Sequence, residues 1–337
     1  MAGCRPDRSR APFRAPFRAP FRAPFRPLRP RAPVVWTGKG WQSSRSRARV
    51  SAMPIFSSYD GTKLWYEPLG TGDGAPLIVL PGGPGTDLRY LGTVGGLDQD
   101  RPLVLLDPRA TGRSAVPEDR AAVAFAQQAR DVEALREHLG LARIDLLAHS
   151  AGTLIAQQYA AAHPDRVRRM VLVTPVGRAA REPDPAELAA LRAARSGEPW
   201  YQRAVNAELR LESEQLPPEQ ESFLRAVLLP FSWHSWSRDR LAEYVPGHSS
   251  TFPWLRDAFY AGSTTDPADL ARLAVTDLPV LVVAGASDGL LGTAPARAVA
   301  ALHPGARLAV LDRSGHRPWV EQPQEFRELV NSFLAEQ

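Results

Sequence analysis

Short apolar runs alternate along much of this chain with stretches in which apolar residues recur every three or four positions. Leu77–Leu80, Pro102–Asp107, Arg143–His149, Val167–Pro175, Leu278–Gly285 and Arg307–Asp312 are too short for ordinary helices. They are predicted as buried strands. Between them, residues 124–141 space Val132, Leu135 and Leu139 by three and four and stop at Gly140, which predicts an amphipathic helix with a glycine C-cap. Further helices are predicted over Ala151–Ala162, Ala294–Ala301 and Pro323–Leu334. Ahead of these, "MPIFSSYDGTKLWYEPLG" from Met53 reads as a β-hairpin turning at Asp60-Gly61.

Strands alternating with helices at this rhythm predict an α/β fold built on a mostly parallel, doubly wound sheet. The rhythm breaks over residues 176–276, which are rich in helix formers, prolines and aromatics and hold no comparable strand. That segment is predicted as a helical cap inserted between two strands of one sheet, leaving residues 53–175 and 277–337 as the core.

Composition changes the picture at one end only. Residues 1–52 hold 13 of the 41 Lys and Arg and a single acid, Asp7, so the remainder has a net charge of −7. The overall basicity therefore gives the folded body no footprint for nucleic acid. From Arg10 to Phe25 the chain repeats Arg-Ala-Pro-Phe four times. Proline at every fourth position blocks a helix, so a disordered basic tail is expected over 1–52 and Met53 reads as the start of the foldable pattern. No apolar leader and no run of about 18 apolar residues is present, which points to a cytoplasmic protein without a membrane span. The one cysteine, Cys4, lies in the tail, so the body is expected to hold neither disulfides nor Cys-based metal sites. His234 and His248 have no ligand spacing around them, and no metal is expected.

Candidate chemistry centres on "LLAHSAGTL", residues 146–154. Ser150 follows a predicted strand and precedes a predicted helix, the place where a doubly wound sheet presents its ligand site. So sharp a turn needs small residues two positions either side, and Ala148 and Gly152 supply them. A serine hydroxyl needs a histidine base, itself oriented by a carboxylate. Asp288 and His316 lie in the loops after the last two predicted strands, at the same end of a parallel sheet, giving the chain order Ser, Asp, His. "LPGGPG" after the first strand of the core brings Gly82 and Gly83 close to substrate, and the backbone N–H groups of Gly83 and Ala151 would form an oxyanion hole.

The ordered series "PGGPG", "DPRATGRS", "AHSAG", "GASDG" and "GHRPW" resembles the α/β-hydrolase superfamily, in particular its proline-iminopeptidase-like branch, from about residue 54 to the C-terminus. The resemblance implies Ser150 as nucleophile, His316 as base, Asp288 as acid and Gly83 with Ala151 as oxyanion donors, with no cofactor. Pro81 stands where the branch usually has histidine and Ala151 where it has tryptophan, changes that leave backbone donors intact. In the cap, Glu208, Glu212 and Glu214 are candidates for holding a substrate amine, or else form a solvated helix face. Trp233 and Trp236, among other aromatics, are candidates with Gly82 for a substrate pocket. Asp107 and Arg109 are read as structural partners near the site.

The leading expectation is a serine aminopeptidase acting on a short peptide with N-terminal proline. A carboxylesterase or lactonase acting on a small molecule is the alternative. A hydrolase-like receptor that binds a ligand with little turnover is the rival of another class.

Overall fold

The computed structural model describes residues 34–36, 41–43, 54–71, 74–177, 183–248, 252–261 and 266–336. Most of the expected basic tail lies outside them. Within it, β1 (Val34–Trp36) pairs antiparallel with β2 (Trp41–Ser43), where no regular structure was expected. These strands lie beyond the last proline repeat and begin with β-branched and aromatic residues, which favour extended backbone.

An eight-stranded sheet organises the rest. Its strands are β3 (Ile55–Ser57), β4 (Lys63–Leu69), β5 (Leu77–Leu80), β6 (Leu103–Leu106), β7 (Ile144–His149), β8 (Val167–Val173), β9 (Val280–Gly285) and β10 (Arg307–Leu311). The order across the sheet is β10-β9-β8-β7-β5-β6-β4-β3. The six strands from β5 to β10 run parallel, and the predicted hairpin β3–β4 adds an antiparallel edge.

Strand residues alternate between two apolar clusters, one on each face. Ile78, Leu80, Leu146, Ala148, Leu172 and Val282 face one layer with residues of α1 (Phe125–His138), α2 (Gly152–Ala162) and, further along the chain, the helix over Ala294–Leu302. Leu77, Val79, Leu147, Val171 and Val283 face the other, with Leu88, Leu91 and residues of the closing helix over Pro323–Ala335. Coverage on both faces explains why these strands read as unbroken apolar runs.

Between β8 and β9 the described residues form α3 (Pro185–Ala193), α4 (Tyr201–Ser213), α5 (Pro218–Val227), α6 (Arg238–His248), α7 (Leu255–Phe259) and α8 (Pro267–Val275), and no strand. Then come α9 (Ala294–Leu302), α10 (Pro318–Glu321) and α11 (Pro323–Ala335). The described residues, inserted helices included, form one compact unit. The chain passes from β5 to β6 on one side and then to β7 on the other, so connections diverge at β5 and β7. In such sheets the ligand crevice lies there, beyond the carboxyl ends of the strands.

Candidate active site

Four loops reach that end of the sheet: residues 81–86 after β5, Ser150 after β7, Asp288 after β9 and His316 after β10. Ser150 sits at φ 49°, in the left-handed region, at a cost on the order of 1–2 kcal/mol for a residue with a Cβ. Its neighbours hold it there. Its N–H donates to the carbonyl of Val173 on β8 at 2.9 Å, and its carbonyl accepts from Thr153 Oγ1 at 2.6 Å. The small residues around it have distinct reasons. Ala148 is fully buried in the sheet, and a Cβ at Gly152 would run into the Pro81 carbonyl. A Cβ at Gly82 would stand 2.8 Å from that of Ser150.

His316 Nε2 lies 3.0 Å from Ser150 Oγ, and its Nδ1 lies 2.7 Å from Asp288 Oδ2. The other carboxylate oxygen, Oδ1, accepts the N–H groups of Leu290 and Leu291 at 3.0 and 3.2 Å. All three side chains are buried. With Nδ1–H donating to the carboxylate, Nε2 is left as an acceptor facing the hydroxyl, an arrangement able to draw a proton from the serine. Among the described residues, the backbone N–H groups of Gly83 and Ala151 meet no acceptor within the protein. The Gly82 N–H, by contrast, donates to Tyr90 OH at 2.6 Å.

The inserted helices hold the acid and base loops through backbone carbonyls. Phe231 accepts from the Gly289 N–H at 2.9 Å, and Ser232 from the His316 N–H at 2.7 Å. Glu321 joins the same seam: it accepts from Gly315 N–H at 2.7 Å and from the N–H groups of His234 and Ser235 at 3.2 and 3.0 Å. Further out, Glu187 of α3 accepts from the N–H groups of Thr293 and Ala294 at the start of α9, at 3.0 and 3.1 Å. A carboxylate suits a helix N-terminus, where unpaired donors and the positive end of the dipole meet.

The other sequence candidates are distributed differently. Glu208 is ion-paired with Arg192, whose Nε also donates to the Gly289 carbonyl at 3.0 Å. Trp233 is buried beneath the guanidinium groups of Arg240 and Arg317, and Trp236 is half-buried. Trp200 and Tyr201 pack edge-on against Phe231, and Phe252 stacks on Trp254, so these aromatics partner one another. His234 Nδ1 lies 2.8 Å from Ser287 Oγ, and the His248 side chain lies outside the described residues. Among the described residues no group of three His, Cys, Asp or Glu is placed to hold a metal, and no helix is long and apolar enough to cross a membrane. A cavity of about 700 Å³ opens elsewhere, between Ser57–Tyr59 and the outer face of α1, and touches none of the candidates.

Arg109 and Asp107 occupy structural positions, as expected. Arg109 is fully buried and donates to both oxygens of Asp131, at 2.7 and 2.6 Å. Asp107 accepts the N–H groups of Leu88 and Arg113, each at 2.9 Å.

Sequence reasoning passed over Tyr90, His149, Glu321 and the carbonyls of Phe231 and Ser232. A carbonyl leaves no mark in the sequence. His149 did stand in the serine motif, but nothing local identifies partners 59 and 167 residues away.

Comparisons with known proteins bear on the fold. Residues 75–323 match the family model for the alpha/beta hydrolase fold. A protein of Caulobacter vibrioides named as a carbamate hydrolase, RutD, is 29% identical over 264 residues, covering 77% of this chain and 91% of its own. The proline iminopeptidase of Heyndrickxia coagulans is 25% identical over 273 residues, covering 78% and 91%. Among solved structures, the enol-lactonase from Burkholderia xenovorans LB400 superposes with a TM-score of 0.57 at 26% identity, over 84% of this chain and 100% of that one. The esterase RhEst1 from Rhodococcus sp. ECU1013, at 24% identity, 84% and 99% coverage and a TM-score of 0.60, shares the fold. The family model spans most of the chain, and the sheet order and loop placement accord with it: this chain belongs to the α/β-hydrolase family.

Proposed function

We propose that the protein is a serine hydrolase that cleaves a carboxylic ester or lactone through an acyl-enzyme. The observation that carries this reading is the continuous line from Ser150 Oγ to His316 Nε2 at 3.0 Å and from Nδ1 to Asp288 at 2.7 Å. Ser150 attacks the carbonyl carbon while His316 takes its proton. The oxyanion forms against the unpaired N–H groups of Gly83 and Ala151. On collapse, His316 returns the proton to the leaving oxygen. Water, deprotonated by the same imidazole, then releases the acid. Asp288 keeps the imidazole in the tautomer that accepts from serine and balances its charge once protonated.

Esters are placed ahead of the aminopeptidase expectation because Glu208, one of the residues read as an amine holder, is engaged by Arg192. The proline iminopeptidase relatives favour the second reading, cleavage after an N-terminal proline. A fluorophosphonate probe is expected to label the full chain and not Ser150→Ala. p-Nitrophenyl butyrate is expected to be turned over at least tenfold more efficiently than proline p-nitroanilide. The reverse preference would establish the peptidase. Labelling with negligible turnover of every substrate would favour a ligand receptor, and absence of labelling would remove the hydrolase mechanism.

A further inference from the structure

His149, the residue before Ser150, is buried between the two halves of the site. Its Nε2 lies 2.9 Å from the backbone carbonyl of His316, and its Nδ1 lies 2.7 Å from Tyr90 OH. A carbonyl can only accept, so Nε2 carries a hydrogen, and in the neutral form of the ring Nδ1 is the acceptor. The Gly82 N–H, 2.6 Å from the same phenol, can only donate. Tyr90 therefore accepts from Gly82, meets the Thr86 hydroxyl as well, and donates onward to His149. Burial raises the Tyr90 pKa above its ordinary value, so the phenol keeps the proton this requires.

Packing holds the chain in place from both sides. The His149 ring meets the His316 ring edge-on at 4.8 Å between centroids and the Trp319 ring at 4.7 Å. Thr174 Oγ1 supplies a second donor to the His316 carbonyl at 3.0 Å. The loop bearing Gly82 is closed in turn by Thr86 Oγ1, which donates to the Gly82 carbonyl at 2.6 Å. A polar path thus runs from the Gly82–Gly83 loop, through Tyr90 and His149, to the backbone of His316, and passes through none of the reacting atoms.

We propose that Tyr90 and His149 are positioning residues that set the oxyanion loop and the catalytic histidine in register across Ser150. The inference rests on the roles assigned above to Ser150, His316 and Gly83. It adds that oxyanion donor and base are aligned by a single relay, so loosening either link disturbs both. The relay acts on the transition state, where the hole and the base work together, and little on binding of the ground-state ester.

The test is steady-state hydrolysis of p-nitrophenyl butyrate by the full chain and its variants. Ser150→Ala must first abolish turnover; if it does not, the hydrolase mechanism itself fails and the relay with it. Given that control, His149→Leu and Tyr90→Phe are each expected to lower kcat roughly 10- to 100-fold, below the loss from removing an oxyanion donor outright, with KM changed less than threefold. The double variant should be no worse than the poorer single one, because the two residues are links of one chain. His149→Gln, whose amide offers one donor and one acceptor, should recover much of the loss. Tyr90→Phe, nearly isosteric, keeps the question open to test if His149→Leu does not fold. Values of kcat within twofold of the parent, losses confined to KM, or additive losses in the double variant would each overturn the relay and leave the proposed function standing.

Discussion

Gly82 is where the local geometry is tightest. A methyl group there would come within 2.8 Å of Ser150 Cβ and 2.9 Å of His149 Nδ1, so the loop or the elbow must move. Gly82→Ala is therefore expected to lower kcat for the ester at least tenfold while the urea midpoint falls only modestly, since displacement is confined to the loop. An unchanged kcat would mean that the loop yields without cost. Asp107 gives a prediction of another kind. Burial, with the nearby charge of Asp87, pushes its pKa from 3.8 up to about 6, against the pull of the Leu88 and Arg113 N–H groups. Between those values the folded protein binds the proton more tightly than the unfolded chain. The group's contribution to stability is thus largest below pH 3.8 and is lost as pH rises through 6, by up to about 3 kcal/mol. Asp107→Asn cannot titrate. The stability of the parent relative to this variant, from urea midpoints at matched pH, is expected to increase between pH 7 and pH 4; a constant or narrowing difference would refute the linkage.

At the scale of elements, the division between what could be read and what could not follows burial and locality. Leu77–Leu80 and Val280–Gly285 are buried along their whole length, so their strands stand out as apolar runs bounded by turn residues. Ser150, Asp288 and His316 were legible because each follows such a run, and a parallel sheet brings all of their ends to one edge. The inserted helices were visible only as an interruption. Their aromatics serve partly as their own core, as Trp200 against Phe231 illustrates, and the partner of Glu208, Arg192, lies sixteen residues earlier on another helix. What the insertion contributes to the acid and base loops includes the carbonyls of Phe231 and Ser232, which carry no residue preference, besides the side chains of Arg192 and His234. Glu321 is a further side chain on that seam. Its two oxygens accept three backbone N–H groups, from Gly315, His234 and Ser235. In Glu321→Gln one oxygen becomes an NH₂ that opposes a donor, so the variant is expected to lose roughly 1.5–3 kcal/mol of stability. Because Gly315 precedes His316, kcat should fall several-fold as well. Loss of stability with kcat intact would confine Glu321 to a structural role.

Across the whole molecule, the antiparallel edge of the sheet is joined to the parallel core by the β4–β6 pairing, and one buried cation ties its turn to α1. Arg109, after β6, reaches Asp131 on α1 and, in the β3–β4 turn, Asp60, Ser58 and Thr62. Burial opposes its charge, but Asp131 and Asp60 outweigh it and raise its pKa, so the guanidinium remains ionised throughout. The same cation holds the Asp60 carboxyl well below the usual range, although burial alone would raise it. Two carboxylates thus share one cation, with the Ser58 hydroxyl also donating to Asp131 and the Thr62 N–H to Asp60. Arg109→Leu leaves Asp131 buried and uncompensated, and breaking such a pair from one side typically costs about 3–5 kcal/mol. Removing both charges, as in Arg109→Leu with Asp131→Leu, eliminates the stranded carboxylate and should recover a substantial part of that loss. Urea midpoints of the parent, the two single variants and the double variant close the cycle. Hydrogen exchange at Ile55–Ser57 and Lys63–Leu69 should locate the damage, since the turn joining these strands loses its ionic tie to α1 and the hairpin keeps the hydroxyl contacts of Ser58, Tyr59 and Tyr66. A single variant within about 1 kcal/mol of the parent, or a double variant less stable than both singles, would show that the hairpin is held by its strand pairing and apolar contacts with the cation adding little.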